Sequence, residues 1–366
     1  MTGRLVLESL KHRPMRSLLS ILLIAVPVTL ILALVGLSYG MLDDAQQRAR
    51  GSGADIMVRG TNASSLLSAS LATLPEKFLP FFEKQPHVRL AMGVITHAIE
   101  MPLTVTGVDV EKFSAMSGVF HYLEGGPFQQ PNDMIIDRYY AAQRHVRAGE
   151  TLTVMNRPWH VCGIIEGGKL SHILVPLQVL QELDSSSGLF SQIYLKLDDS
   201  ANTAAVIADL KRKLGPAYPI YSMEEIRSML SVDTVPGLRP FIGVIEGVGV
   251  IIGLAVVCLS MYMAVLQRTR EIGILKSLGA SKVFILRIIM AEALLLGVGG
   301  TVLGIAMSYV ASWIIQTVVP ASIQMVIVHQ WWPIAGANTL ASAALGALYP
   351  GLSAARHDPV EALAYE

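Results

Sequence analysis

The sequence has little charge. Lys, Arg, Asp and Glu make up 15% of the 366 residues, against about 25% in an average soluble protein. Hydrophobic residues make up 52%. This balance predicts that much of the protein lies in lipid. The formal net charge of 0 says nothing about partners, because the charges are unevenly placed along the chain.

Cysteine is also scarce. Cys162 lies in a polar region and Cys258 lies in a long apolar run, so the two cannot readily pair. The sequence therefore has no disulfide framework from which to infer a redox compartment. His160 and Cys162 would share one face of a strand, but no third or fourth ligand follows at metal-site spacing. We expect no metal site in this chain.

A complete nucleotide-binding loop is missing. The nearest match is GIIEGGK, from Gly163 to Lys169, which fits G-x-x-x-x-G-K. Its eighth position is Leu170, where a nucleotide hydrolase has the Ser or Thr hydroxyl that holds magnesium. A strand that ends in a glycine-rich turn is the expected structure. We therefore do not expect this chain to hydrolyse nucleotide by itself, and we expect it to bind no cofactor.

Adjacent carboxylates suggest no hydrolase site. They occur in polar turns or at helix starts, where solvated surface is the expected environment. The pairs are Asp43 with Asp44, Asp198 with Asp199, and Glu224 with Glu225. We identify no catalytic residues.

What the sequence does have is four long apolar runs. They are predicted to span the membrane at 17–40, 239–267, 288–319 and 332–354, since about 20 apolar residues cross a bilayer. The last is diluted by Asn338, Ser342 and many small residues, which instead favour close helix packing. The first is too long for a signal-peptide core and lacks a small-residue cleavage site, so we expect an uncleaved anchor.

Residues 41–238 have a different composition, because charge returns and Pro and Gly interrupt the chain. Nearly 200 residues can form their own core. Short β-branched or alternating segments predict strands at 55–59, 94–99, 103–108, 151–155, 160–165, 192–197 and 218–221, with a helix that begins near Ala201. The sequence predicts an α+β domain of two lobes. The outer lobe covers about 110–190, and the inner lobe, built from both flanks, lies next to the membrane.

Basic residues indicate the topology. They collect in 1–16, in the loop 268–287 and at Arg356, whereas the link 320–331 has no Lys or Arg. Short cytosolic loops are rich in Lys and Arg. Both termini, including the tail 355–366, are therefore predicted in the cytosol, and the domain outside the cell. Residues 1–16 favour an amphipathic helix on the cytosolic surface, with a plain topogenic charge cluster as the alternative.

The loop 268–287 is predicted to contain a short helix at the membrane face. Ile272, Leu275 and Leu278 fall at helical spacing. Gly279 can end this helix in a left-handed conformation, and Ser281 can cap the next one. Such an element could receive a push from a partner and pass it to both flanking spans. The alternative is an ordinary basic loop that lipid headgroups retain.

Two carboxylates are predicted within the membrane. Glu246 is about two turns in from the outer end of its span, and Glu292 is near the cytosolic end of the next. Intramembrane carboxylates are costly and usually face a bundle interior or water. Glu246 is expected to face a wet cavity, and Glu292 to pair with Arg287 or Arg268. Snorkelling and local ion pairing are the alternatives to a functional role.

Three motifs resemble a known family. REIGILKSLGAS, followed by an apolar span, resembles the loop between the second and third spans of FtsX/MacB-type ABC-transporter permeases. The start, LVLESLKHRPMRSLLSILLI, resembles their N-terminal helix running into span one, and LYPGLSAARHDPVEALAYE resembles their closing segment. The two-lobed domain resembles their extracytoplasmic domain, whose second lobe is an insertion.

The resemblance implies an α-helical membrane protein with four transmembrane helices and an α+β extracytoplasmic domain inserted between spans one and two. It implies a permease subunit of the plasma (inner) membrane. Its partners would be a separate ABC ATPase, which carries ATP and Mg, a second permease copy, and possible adaptor or outer-membrane proteins, with no nucleic acid. The positions that match the ATPase-contacting helix are Arg270, Glu271, Ile272, Gly273, Leu275, Lys276, Gly279 and Ala280.

The expected function is to couple ATP hydrolysis by the partner to movement of the outer domain. Export of a hydrophobic or amphipathic substrate is the leading use, with lipoprotein release or haem relief as variants. A non-transporting regulator of a cell-wall hydrolase is the competing class. A membrane-anchored receptor or enzyme without an ATPase is a third class, which would need another use for the central loop.

Overall fold

The computed structural model describes residues 14–60, 74–100, 103–318 and 324–356. Most of the predicted surface helix at 1–16 and of the tail at 355–366 lies outside these residues. The chain forms two compact units. The helical unit contains Met1–Ser38, Gly237–Ile314 and Met325–Glu366, and the domain unit contains Tyr39–Pro236 and Ile315–Gln324.

The described helices are numbered along the chain. They are α1 (Pro14–Gly51), α2 (Phe78–Glu83), α3 (Val110–Ser117), α4 (Arg138–Arg144), α5 (Leu177–Leu183), α6 (Thr203–Leu214), α7 (Met223–Met229), α8 (Leu238–Leu266), α9 (Thr269–Ser277), α10 (Lys282–Val318) and α11 (Trp332–Arg356). Short 3₁₀ turns occupy Ser200–Asn202 and His329–Trp331.

The described strands all belong to the domain unit. They are β1 (Ile56–Arg59), β2 (Leu74–Pro75), β3 (Val88–Glu100), β4 (Leu103–Val108), β5 (Tyr122–Gly125), β6 (Asp133–Asp137), β7 (Thr151–Val154), β8 (Arg157–Ile165), β9 (Ile173–Pro176), β10 (Leu189–Phe190), β11 (Gln192–Leu197) and β12 (Ile220–Ser222).

Three helices in the described part of the chain are long and apolar enough to cross a membrane. They are Ser17–Gly51 within α1, α8 and α10. The fourth predicted span does form a helix, α11, but it is not among the three. Its polar Asn338 and Ser342 and its many alanines and glycines make it less apolar. By length and composition the structure thus supports three of the four predicted spans, and the four-span topology is a proposal.

Small residues bring α11 close to its neighbours, as its composition predicts. Ala343 and Ala347 are fully buried in a cluster that also contains Val257 of α8 and Ala293 of α10. A Cβ atom on Gly346 would lie only 2.7 Å from the carbonyl oxygen of Leu254. Close backbone approach through small residues is the usual way in which membrane helices pack.

Ten strands in the described residues of the domain unit form one mixed sheet. The order is β12-β1-β11-β3-β4-β9-β6-β8-β5, with β7 paired to β8. The pairs β4–β9 and β6–β8 are parallel, and the other pairs are antiparallel. The strand β3 pairs with β11 through its first half and with β4 through its second half.

Two hydrophobic clusters pack against this sheet. Trp159, Met134 and Leu180 belong to the first cluster, and Phe82 and Phe190 belong to the second. The strand β3 contributes to both, with Ile95 in the first and Ala91 in the second. This long strand therefore joins the two packed regions of the domain.

The predicted strands and helix of this domain are confirmed. The strands β4 and β11 have the predicted bounds, and α6 follows a 3₁₀ turn that begins at Ser200. The strand predicted at 94–99 is longer, because residues from Val88 onward also pair with β11.

Candidate coupling site

The helix α9 lies between two of the long apolar helices, α8 and α10. It begins after Arg268, whose carbonyl oxygen accepts a 2.9 Å hydrogen bond from the backbone N–H of Ile272. Glu271 lies in the first turn, where a negative charge interacts favourably with the helix dipole. The loop is therefore helical where the apolar spacing predicted it.

The end of α9 has the predicted geometry. Gly279 has a φ of +92°, in the left-handed region that glycine adopts without strain. The N–H of Gly279 donates to the carbonyl of Lys276 at 3.0 Å, and the N–H of Ala280 donates to that of Leu275 at 3.0 Å. The Ser281 hydroxyl then accepts from the N–H of Phe284 at 3.2 Å and caps α10. The chain reverses sharply between the two helices.

One side of α9 packs on the long helices. Gly273 is buried, and Ile272 and Ala280 pack against the cluster that α8, α10 and α11 share. Lys276 reaches further, because its Nζ donates to the carbonyl oxygen of Ala355 at 2.8 Å. The short helix is thereby fixed to the last turn of α11.

The other side of α9 is uncovered. Arg270 and Glu271 are exposed. Ile274, Leu275 and Leu278 are 45%, 38% and 80% exposed. Apolar side chains rimmed by charge are typical of a protein contact surface. We call this exposed face of α9 the coupling face.

A cavity of about 210 Å³ lies beside this helix. Its walls are mostly apolar, and Leu275, Phe284 and Ile288 contribute to them. At its polar side the Nη1 atom of Arg268 lies 3.2 Å from Oε2 of Glu292. Glu292 is only 4% exposed, so the pair stabilises a buried carboxylate. This is one of the two partners that the sequence predicted for Glu292.

Glu246 contacts a different helix. The side-chain amide of Asn338 in α11 donates to Oε1 of Glu246 in α8. One turn further along α11, the Ser342 hydroxyl is 3.3 Å from the carbonyl oxygen of Val250. Polar bonds of this kind hold membrane helices together. The two residues that made α11 less apolar therefore both contact polar groups of α8.

The glycine-rich turn after β8 has a packing role in the structure. The strand ends at Ile165, as expected of a strand that ends in a glycine-rich turn. The Nζ atom of Lys169 lies 5.8 Å from the centre of the Phe113 ring, and burial lowers the pKa of Lys169. At the level of the sequence, His160 was a candidate metal ligand without enough partners. In the structure its Nδ1 atom lies 2.9 Å from Oδ1 of Asp133.

The domain unit contains a charged cluster that the sequence did not predict. It joins Asp44 and Arg48 of α1 to Asp137 and His172. Asp44 was expected on solvated surface, and this expectation is wrong, because the residue is 8% exposed. The i, i+4 spacing of Asp44 and Arg48 is a sequence signal for a helical ion pair. No sequence signal links them to His172, more than a hundred residues away.

Comparison with known proteins identifies the class. A family model for the MacB-like periplasmic core domain matches residues 17–213, which is more than half of the chain. A second model, the FtsX-like permease C-terminal region, matches residues 243–359 and includes α9. The chain therefore belongs to the MacB/FtsX family of ABC transporter permeases. With its apolar helices and its periplasmic-type domain it is an inner-membrane protein.

Individual relatives fit this class. An uncharacterized ABC transporter permease of Methanocaldococcus jannaschii is 21% identical over 97% of this chain and 96% of its own length. The permease YknZ of Bacillus subtilis is 27% identical over 60% of this chain and 57% of its own length. The macrolide export ATP-binding/permease protein MacB of Shigella sonnei is 24% identical over 98% of this chain. The alignment covers 60% of MacB, so this chain spans only part of MacB and of YknZ.

Two solved domains are similar to part of the chain. The periplasmic region of MacB from Actinobacillus actinomycetemcomitans has a TM-score of 0.37 and 15% identity, over 51% of this chain and 97% of its own. The extracellular domain of YknZ from Gram-positive bacteria has a TM-score of 0.34 and 13% identity, over 46% of this chain and 98% of its own.

Proposed function

We propose that this chain is a permease subunit that couples ATP hydrolysis by a separate ABC ATPase to movement of its extracytoplasmic domain. The observation that carries the proposal is the coupling face of α9. Its apolar and charged side chains are exposed, while its other side is fixed to α8, α10 and α11. A push on this face would reach several long helices at once.

The proposed arrangement has four spans, with α11 as the fourth, and both termini in the cytosol. Two copies of the chain would assemble with two ATPase subunits, which supply ATP and Mg. The coupling residues would be Arg270, Glu271, Ile272, Gly273, Leu275, Lys276, Gly279 and Ala280. Of these, the exposed Arg270, Glu271 and Leu275 would contact the ATPase, and Ile272, Gly273, Lys276 and Ala280 would hold the helix in place.

The proposed use is export of a hydrophobic or amphipathic substrate. Relatives named as macrolide exporters support this choice. Glu246 and Glu292 would then help the helices to shift without exposing a bare charge to lipid. Addition of a substrate of this class should stimulate ATP hydrolysis by the purified complex. A complex that responds to a cell-wall hydrolase and to no small molecule would instead be a regulator, and release of a lipoprotein from vesicles would identify a lipoprotein-releasing permease.

Substitution of Glu271 tests the coupling role. Glu271→Ala should reduce the amount of ABC ATPase subunit that co-purifies with the tagged chain by about tenfold, because it removes an exposed charge from the centre of a contact. The amount of chain in the membrane should not change. The measurement is quantitative mass spectrometry of the detergent-purified complex, together with its ATPase activity.

Glu224→Ala is the matched control, because Glu224 is also an exposed acidic residue in the first turn of a short helix, in the domain unit. It should retain the ATPase at the wild-type level. Wild-type recovery and activity in Glu271→Ala would refute the role of this residue. Reproducible purification of the wild-type chain without any ATP-binding subunit would refute the proposed function as a whole.

A further inference from the structure

The outer end of α1 is held tightly by the domain. Residues 39–51 of this helix belong to the domain unit. At its last residue, Gly51, a Cβ atom would lie 1.7 Å from the carbonyl oxygen of Gly168. Just beyond, a Cβ atom on Gly53 would lie 2.5 Å from the Cα of Ser117. The backbones approach closely at both positions, so this part of α1 cannot move toward the domain without displacing the domain backbone.

A charged cluster makes the third contact, and its domain side lies on two paired strands. The strands β6 and β9 are antiparallel neighbours in which Ile136 pairs with Ile173, so Asp137 and His172 stand side by side. The N–H of Asp137 donates to the carbonyl of His172 at 3.0 Å. Nδ1 of His172 lies 2.6 Å from Oδ2 of Asp137, and Oδ1 accepts from the N–H of Tyr140 and caps α4.

The other ring nitrogen of His172 faces α1. Nη1 of Arg48 is 2.8 Å from Nε2, and Oδ2 of Asp44 is 3.7 Å from the same atom. Arg48 also pairs with Asp44, and Gln324 donates to Oδ1 of Asp44 at 3.2 Å. The two nitrogens of one buried ring, whose side chain is 4% exposed, therefore contact two different elements.

The charges in the cluster balance only when the ring is protonated. Asp44 and Asp137 carry two negative charges against one positive charge on Arg48. A neutral ring leaves one buried negative charge in excess, and an imidazolium brings the sum to zero. Burial lowers the pKa of His172, but the hydrogen bonds to Asp137 and Asp44 outweigh this and raise the pKa to about 9.

The other charged groups near the cluster are exposed, so they do not change the balance of buried charge. Arg138 and Glu166 flank Asp137 but are exposed. Asp43, next to Asp44, is exposed and accepts a hydrogen bond from Gln47. The 2.8 Å contact between Arg48 and Nε2 is suited to the neutral ring, because two N–H donors repel. On protonation, Arg48 would bond to Asp44 alone and the Nε2–H would donate to Asp44.

We propose that His172 is a proton-dependent joint that fastens the outer end of α1 to the β6–β9 edge of the domain sheet. In the protonated state the ring donates to a carboxylate on each element. Loss of the proton turns the Nε2 donor into an acceptor for Arg48, which is the contact that the structure shows. It also leaves one buried negative charge in excess, so the joint is weaker than in the protonated state. The assignment rests on the proposed function only in one respect, namely that a movement of α1 passes through this joint to the sheet.

The pH dependence of local opening tests the joint in the full-length chain. The raised pKa means that the stabilisation is complete below the ordinary histidine pKa and is lost as the pH rises through about 9. Amide exchange of residues 44–51, corrected for the intrinsic rate, should therefore increase about tenfold between pH 8 and pH 10. If the corrected exchange of residues 44–51 in the wild-type chain does not change with pH, the proposal is overturned. This test requires no variant.

His172→Gln removes the titrating group and keeps a hydrogen-bonding side chain. The corrected exchange of residues 44–51 should be raised at pH 7 and independent of pH. His160→Gln is the matched control, because His160 also pairs with an aspartate, but its side chain is 50% exposed and its partner, Asp133, lies at the opposite end of β6 from Asp137. It should keep the wild-type profile. Wild-type behaviour in His172→Gln would overturn the proposal, whereas exchange in β1 and β11 reports whether the variant has folded.

A second measurement separates the joint from the proposed function. In the complex with its ATPase, addition of ATP should change the exchange of β6 and β9 in the wild-type chain and in His160→Gln. The change should be several-fold smaller in His172→Gln, which keeps only the close contacts at Gly51 and Gly53. An ATP effect of wild-type size in His172→Gln would overturn transmission through the joint. No ATP effect in the wild-type chain, together with the tenfold pH response, would support the joint and refute the proposed function.

Discussion

The environment of a charged residue in this protein depends mainly on where the fold places its side chain. Asp44 and Asp43 are adjacent in sequence, yet Asp44 is buried against Arg48 and His172 while Asp43 is exposed. A buried carboxylate is stable only when it is paired and hydrogen-bonded. The same holds for Glu292, which pairs with Arg268. The structure thus distinguishes paired, positioned acids from solvated ones, although their residue type is the same.

Gly51 gives a prediction at this scale. Gly51→Ala places a methyl group against the backbone carbonyl of Gly168, which cannot move aside as a flexible side chain can. Overpacking of this kind costs about 1–3 kcal/mol. We expect a lower thermal denaturation temperature for the domain of the full-length chain in detergent. Gly126→Ala is the control, because a Cβ there meets nothing within 4 Å. Equal stability of the two variants would contradict the close contact.

At the scale of elements, α9 matters because its two sides have different neighbours. Nine residues make a helix that is too short to be stable by itself in water. Its form therefore depends on the buried side, on the left-handed stop at Gly279 and on the bond from Lys276 to Ala355. The proposed coupling role depends on this arrangement, because it leaves the other side of α9 exposed.

Lys276 gives a prediction about this element. Lys276→Met keeps the length and apolar stem of the side chain and removes the hydrogen bond to the carbonyl of Ala355. A hydrogen bond from a charged donor contributes about 1.5–3 kcal/mol, so amide exchange in α9 should rise by about tenfold or more. Lys282→Met, at an exposed position in the same loop, should leave exchange in α9 unchanged. A rigid α9 in Lys276→Met would show that other contacts suffice.

At the scale of the whole molecule, the chain combines apolar helices with a folded α+β domain. Family matches cover both parts, the periplasmic core domain from residue 17 and the permease region from residue 243. Three helices qualify as spans by length and composition. The helix α11 is less apolar, and its Asn338 and Ser342 contact α8. The proposed mechanism requires α9 and the domain to face opposite sides of the membrane.

Topology mapping tests this requirement. Val119→Cys, on an exposed position of the domain, should react with a membrane-impermeant maleimide in intact spheroplasts. Ser277→Cys, exposed at the end of α9, should react only after the membrane is permeabilised. The chain with only its native Cys162 and Cys258, both partly buried, provides the background. Labelling of both positions from the same side would exclude transmission across the membrane.

Local sequence determined the elements of this protein. Apolar runs of sufficient length gave α1, α8 and α10, because hydrophobic length is a property of consecutive residues. Alternation gave strands such as β4 and β11, and the spacing of Ile272, Leu275 and Gly279 gave α9 and its end. These features depend on interactions within a few residues, so a single sequence contains them.

Tertiary structure alone decided which distant residues meet. The pairing of β6 with β9 brings Asp137 beside His172, and the packing of α1 brings Asp44 and Arg48 to the same ring. The same packing brings the glycine-rich turn at Gly168 against Gly51. The physical reason is that burial and ion pairing are set by neighbours in space, and no local pattern in one sequence records which segments those neighbours come from.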